Sequence, residues 1–342
     1  MNKPLRWGIL GTGNIARQFA AGFPSARRSV LSAVGSRSIQ SAQTFAGDYQ
    51  VPAAVGSYDE LLKSNDVDAV YVSLPNSMHH EWTIKALRAG KHVLCEKPLA
   101  SNTAEAVEMF DVSQKSGRVL VEAFMYRSHP LIHAVLDAIR AGKIGQVRLI
   151  RTSFCFRVWK TAGNIRFDAA MAGGALMDIG CYCINFSRLI AGTEPTSVQG
   201  VGQLHASGVD ELAAGVMQFP GDITASFTCG MNAQADNTAF ICGTEGYIEI
   251  PVPWKPPVQN AVWSLAYSTP PRMDQAAGIP PQPRPKETFS VDAGKALYAL
   301  EADDFAEAVL DGEPVRVSPA DTLGNMRILD DLRRQLGVKQ AP

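Results

Sequence analysis

Along the first 124 residues, short apolar runs alternate with stretches of helical periodicity. Residues 5–10 are apolar and end in glycines, and residues 14–23 repeat their apolar positions at helical spacing. Residues 30–35 are apolar again, and 38–49 predict a helix. DAVYVSL, residues 68–74, predicts a buried strand, and residues 81–89 a helix stopped by Gly90. A strand over 92–95, a helix over 103–116 and a strand over 119–123 complete the series. Such alternation predicts a parallel sheet covered on both faces.

The pattern then changes. After a helix over 131–141, residues 145–159 read as one long strand, and residues 174–190 as a helix. On that strand Phe154 and Phe156 share one face, while Cys155, Arg157 and Trp159 share the other. Between 196 and 250, turns such as Pro220-Gly221-Asp222 separate short strands, which argues an antiparallel sheet. Residues 251–285 hold ten of the 21 prolines and predict an extended surface loop or clamp, because proline cannot donate to a ladder. Helices over 296–310 and 319–336 close the chain. The expected fold class is α/β, with one domain over residues 1–124 and an α+β domain over 125–342.

Composition fits that picture. At roughly 150 residues per domain, 342 residues make about two domains. Lys+Arg 32 against Asp+Glu 33 leaves a net charge of -1, without the basic surface that nucleic acid requires. No apolar run approaches the ~20 residues of a membrane span, and the N-terminus reads as strand and turn instead of a signal peptide. The six cysteines form no C-x-x-C pair, so free thiols in the cytoplasm are expected. His79-His80 and the scattered carboxylates lack metal-ligand spacing, so no metal is expected, and there is no G-x-S-x-G elbow.

The chemistry begins at Gly11-Thr12-Gly13-Asn14-Ile15-Ala16, a G-x-G-x-x-A turn between the first strand and the first helix. The first glycine permits the turn, the second admits a pyrophosphate, and the small third residue lets helix and strand pack closely. The pyrophosphate then meets the positive end of the helix. About 20 residues further on, where an acid would bind an adenosine ribose, the chain reads Ser36-Arg37-Ser38. An arginine between serines suits a 2′-phosphate, which favours NADP and leaves NAD possible.

A second cluster is Glu96-Lys97-Pro98, placed where a strand ends and ligands of open parallel sheets bind. Here GTGNIA, PNSMHHEWTIKALRAGKHVLCEKP and GGALMDIGCYCINFSRLI together resemble the Gfo/Idh/MocA oxidoreductases over nearly the whole chain. EAFMYRSHP adds a likeness to the branch of dimeric dihydrodiol dehydrogenases, NADP-dependent xylose dehydrogenases and glucose–fructose oxidoreductase. The resemblance implies a Rossmann domain followed by a domain with an open, mostly antiparallel sheet. It implies NADP or NAD as cofactor and a small sugar or cyclic diol as substrate. It places Lys97, Asp178 and Tyr182 as catalytic residues, and Leu74, Pro75, Asn76, His79 and Glu96 at the cofactor. Phe154, Trp159 and Arg166 are the candidates for substrate contact.

Asp178 and Tyr182 stand at i and i+4, so a helix would present them on one face. Alcohol oxidation needs a proton acceptor beside the nicotinamide, and a nearby Lys97 ammonium would lower the tyrosine pKa from ~10. Asp178 would orient Lys97 or a substrate hydroxyl. Two rivals share the resemblance: a redox-neutral enzyme that cleaves glycosides with a tightly bound cofactor, and a dinucleotide-sensing binding protein. The face of the second sheet turned away from the first domain predicts a homodimer or higher homo-oligomer.

Overall fold

The structure is a computed structural model and describes residues 3–267 and 285–339. The chain opens with β1 (Leu5–Leu10), α1 (Asn14–Gly22), β2 (Ser29–Gly35), α2 (Ile39–Tyr49), β3 (Ala53–Val55) and α3 (Tyr58–Leu62). It continues with β4 (Ala69–Val72), α4 (His79–Arg88), β5 (His92–Glu96), α5 (Thr103–Ser116) and β6 (Leu120–Ala123). The six strands pair in parallel in the order β3-β2-β1-β4-β5-β6. The order reverses between β1 and β4, and both strands run into the crevice where such sheets bind ligands. The four β1 and β4 residues Ile9, Leu10, Val70 and Val72 are fully buried, as a strand covered on both faces requires.

The second domain begins with α6 (Pro130–Arg140), β7 (Val147–Cys155) and α7 (Cys181–Ala191). β8 (Ser197–Leu204), β9 (Asp210–Phe219), β10 (Ile223–Gly230), β11 (Ala239–Gly243) and β12 (Gly246–Ile250) follow. β13 (Ala261–Tyr267), β14 (Lys286–Val291), α8 (Leu297–Leu310) and α9 (Pro319–Leu336) end it. Its sheet has eight strands in the order β14-β13-β12-β11-β7-β10-β9-β8. Every pair is antiparallel except β7 with β10.

Three expectations are corrected. The strand expected over 145–159 ends at Cys155. Beyond it only two bonds, Phe156 N to Gly230 O (2.9 Å) and Val158 N to Met231 O (2.8 Å), keep the chain beside β10. The proline-rich stretch is not all loop: β13 lies inside it, and Trp254 is buried. Residues 268–284 of that stretch lie outside the described residues. Third, Ala169–Ala191 is apolar enough by length and composition to cross a bilayer, but 78% of its most apolar window is buried inside the protein.

α8 returns to the first domain. The ring of Phe305 packs on Trp7 with centroids 5.0 Å apart, and the Asp303 carboxylate accepts from the backbone N–H of Arg27 and Arg28, both at 2.8 Å. All six cysteines are free thiols, five of them buried.

Candidate active site

The phosphate turn is built for an anion. Gly11 has φ +102°, and a Cβ there would come within 3.2 Å of Leu74 Cδ2 and Ser73 Oγ. At Gly13 a Cβ would meet nothing within 4 Å, so that side opens to space. α1 starts with no side-chain cap and no acid in its first turn, which leaves its N–H groups available. These features fit a dinucleotide pyrophosphate. A cavity of about 670 Å³ runs from this turn into the cleft between the domains.

Ser36, Arg37 and Tyr58 line one end of the cavity. Burial pushes the Tyr58 hydroxyl up, and the nearby Arg37 guanidinium opposes that push. Arg37 is exposed and has no carboxylate partner among the described residues. The cavity's acids are Glu96 and Asp178, both at the other end with Lys97. Ser38 instead caps α2, accepting from Ser41 N at 3.3 Å.

At that other end Lys97 follows β5 and reaches into the second domain. Its Nζ donates to Asp178 O at 2.6 Å and to Asp178 Oδ1 at 3.1 Å. Arg166 Nε donates to Asp178 Oδ2 at 2.6 Å. Burial disfavours the Lys97 ammonium, but Asp178, Cys181 and Glu96 together outweigh this and hold its pKa above the usual lysine value. Burial likewise disfavours the Asp178 anion, and the two cations pull its pKa below the usual value.

Asp178 sits in a π turn, Leu176–Gly180, that leads into α7. Asp210 Oδ2 accepts from Leu176 N at 2.6 Å and holds the start of the turn. A Cβ at Gly180 would lie 2.9 Å from Cys229 Sγ, so the turn packs directly on β10. The i, i+4 spacing therefore runs through a widened turn, not a regular helix. Asp178 and Tyr182 nevertheless line the same cavity.

Tyr182 is only 4% exposed and packs edge-on against Phe124 and Phe154. Its hydroxyl faces Met125 Sδ at 3.4 Å. Lys97 Nζ lies 5.3 Å from the centre of the tyrosine ring, over the ring. Burial raises the phenol well above its ordinary pKa. The expected lowering by Lys97 is absent in the chain by itself, because the ammonium is spent on Asp178. Tyr182 thus stands in the cavity as a neutral phenol.

Leu74, Pro75, Asn76, His79 and Glu96 also line the cavity. Asn76 Nδ2 donates to Ala172 O of the second domain at 2.9 Å. His79 is fully buried, with Nδ1 2.9 Å from Pro98 O and Nε2 2.8 Å from Leu74 O. It braces the turns after β4 and β5, and burial lowers its pKa. Glu96 accepts from the Tyr71 hydroxyl and from Lys97 N. Phe154, Phe156 and Arg166 are brought into the cavity. Trp159 is not: it is 80% exposed, beyond the end of β7, with the Arg157 guanidinium 3.9 Å above its ring. The sequence reading missed Gln18, Tyr58, Met125 and Lys255, all cavity residues. Among the described residues no three His, Cys, Asp or Glu side chains gather as metal ligands.

Residues 5–124 match the "Oxidoreductase family, NAD-binding Rossmann fold" model of GFO/IDH/MocA, and residues 132–249 match the family's C-terminal domain. The chain belongs to the Gfo/Idh/MocA oxidoreductases. This oxidoreductase is 33% identical to trans-1,2-dihydrobenzene-1,2-diol dehydrogenase of Mus musculus, over 98% of the chain and 97% of the relative. Among solved structures it is similar to KijD10, a 3-ketoreductase from Actinomadura kijaniata in complex with NADP and TDP-benzene. Identity is 31%, the TM-score 0.85, and the coverage 99% and 100% of the two chains. Aldose-aldose oxidoreductase from Caulobacter crescentus is 28% identical with a TM-score of 0.83, covering 97% of each chain. The oxidoreductase therefore binds NAD(P) in its Rossmann domain.

Proposed function

We propose that this oxidoreductase uses NADP to interconvert a hydroxyl and a carbonyl group on a sugar or a cyclic diol. The observation that carries the reading is one continuous cavity joining the Gly11–Ile15 turn to Lys97, Asp178 and Tyr182. The relatives named for diols and aldoses support the substrate class. When bound, the nicotinamide accepts or supplies the hydride. Lys97, fixed by Asp178, presents a cationic donor to the substrate oxygen. Tyr182 holds the proton that this oxygen gains on reduction, and takes it back on oxidation. Phe154 and Phe156 wall the pocket with apolar surface, as a sugar or diol face requires. Six free thiols suit a cytoplasmic setting.

A panel of aldoses and cyclic diols, followed by nicotinamide absorbance with NADP and with NAD, tests this reading. Stoichiometric NADPH formation from at least one of them is the expected result. Free sugar released without net NADPH would point to the redox-neutral rival, and dinucleotide binding with no turnover to the sensor.

Cofactor choice is assigned to Arg37. A charge-assisted phosphate bond is worth ~1.5–3 kcal/mol, so Arg37→Ala is expected to weaken NADP by roughly ten- to a hundredfold. NAD affinity should barely move in the same titration. Equal losses for both cofactors would show that Arg37 does not read the 2′-phosphate.

We assign the outer face of the eight-stranded sheet to a homodimer. A broad depression there is lined by Arg151, Gln199, Val201, Val216 and Phe240, and Val201 is 73% exposed. A sheet face of this extent is ordinarily covered. Light scattering at micromolar concentration is expected to give at least twice the 36.8 kDa chain mass. A monomer would refute the assignment.

A further inference from the structure

The segment between β12 and β13 carries Lys255 to the edge of the dinucleotide cavity, and its backbone is pinned on both sides. Trp254 is stacked on Phe154, with centroids 5.6 Å apart and ring planes 9° from parallel. Its Nε1–H donates to Ser153 O at 2.9 Å. Two residues after Lys255, Pro257 O accepts from His129 Nε2–H at 3.1 Å. Pro256 and Pro257 each fix a backbone angle. What remains to move is the lysine side chain.

That side chain crosses from the second domain to the first. Its Nζ donates to Gln18 Oε1 at 3.0 Å, and Gln18 stands one turn into α1, behind the uncapped N–H groups. The other cations of the cavity are committed. Lys97 and Arg166 both pair with Asp178, and Arg37 stands at the Ser36–Tyr58 end. Lys255 has no carboxylate partner among the described residues. A pyrophosphate brings two negative charges, whereas a helix N-terminus offers roughly half a positive one.

We propose that Lys255 is a clamp on the pyrophosphate of the bound dinucleotide, supplied by the second domain and held ready by Gln18. Rotation about the lysine's own bonds moves the ammonium from the Gln18 amide to a phosphate oxygen without shifting the pinned backbone. The dinucleotide then touches both domains and ties them together. Lys255 is a binding residue in this role and takes no part in proton transfer.

Calorimetric titration with NADP, NAD and adenosine 2′-monophosphate tests the clamp, using the full chain and Lys255→Met and Lys255→Arg variants. Lys255→Met is expected to weaken NADP and NAD by the same factor, about ten- to a hundredfold, because both carry the pyrophosphate. Adenosine 2′-monophosphate lacks it and should bind as before. Lys255→Arg should recover most of the loss. Unchanged dinucleotide affinity in Lys255→Met would overturn the proposal, with a raised substrate KM then marking a substrate contact. Weakening of all three ligands would also overturn it, as a general distortion. The inference rests on dinucleotide binding and not on the choice of NADP: failure of the Arg37 reading would change only the NADP to NAD ratio.

Discussion

Replacing Tyr182 by Phe is expected to lower turnover by about 10²–10⁴ while NADP affinity stays within a few-fold. The ring and its packing against Phe124 and Phe154 are retained, so only the hydroxyl is lost. Because burial keeps the phenol protonated, carbonyl reduction by the parent should be insensitive to pH through neutrality. Lys97→Met should lose activity as well. It removes the ammonium from the substrate oxygen and leaves Asp178 with Arg166 as its one remaining partner, so the Asp178 pKa rises. The two losses should fall short of additive in the double variant, since both residues serve one proton transfer. Steady-state rates with single-turnover checks decide the matter. Near-normal turnover of Tyr182→Phe would pass the proton to Lys97 or to water and leave Tyr182 as a core aromatic.

The second large effect concerns stability. Glu122 on β6 is 1% exposed, and its Oε1 accepts from Leu99 N at 3.0 Å. Leu99 lies two residues past Lys97, so this carboxyl anchors the turn that presents the lysine. Burial pushes the Glu122 pKa from 4.5 up to about 8, with the bond from Leu99 N opposing. The folded state therefore binds this proton more tightly than the unfolded chain does. Its contribution is greatest below about pH 4.5 and is lost progressively as pH rises to about 8. At ~1.36 kcal/mol per unit, the loss is about 4–5 kcal/mol. Glu122→Gln imitates the protonated acid. In urea unfolding it should match the parent near pH 5 and exceed it by about 2–5 kcal/mol near pH 9. Parallel pH profiles for the two proteins would refute this account.

Legibility in the sequence followed the strength of local patterning. The helices over 103–116 and 319–336 match to the residue, because Asn102 and Ser318 cap their starts and Gly117 and Gly337 end them in left-handed geometry. β3 and α3 escaped notice: three and five residues are too few for a period to show. Losing α3 also hid Tyr58, which stands against Arg37 through tertiary packing alone. The phosphate turn was readable because a backbone requirement dictates its residue types, whereas Lys97 of the Glu-Lys-Pro corner stood out only through the family resemblance. Lys255 was not readable: a lysine among prolines looks like surface charge until the fold brings it across to Gln18. Trp159 misled for the opposite reason, since alternation along a strand says nothing about where the strand stops.

The return of α8 to the first domain has a consequence for synthesis. The ring of Trp7 is covered partly by Phe305, some 300 residues later in the chain. A ribosome adding ~5–20 residues per second takes about 9–35 s to get from the end of β6 to the start of α8. Throughout that interval the nascent dinucleotide domain lacks the cover that Phe305 later gives Trp7 and Tyr298 gives Phe19. Until α8 is made, that face of the dinucleotide domain lacks its partner from the same chain. A fragment ending before residue 297 would never gain that partner, however well its six strands pair.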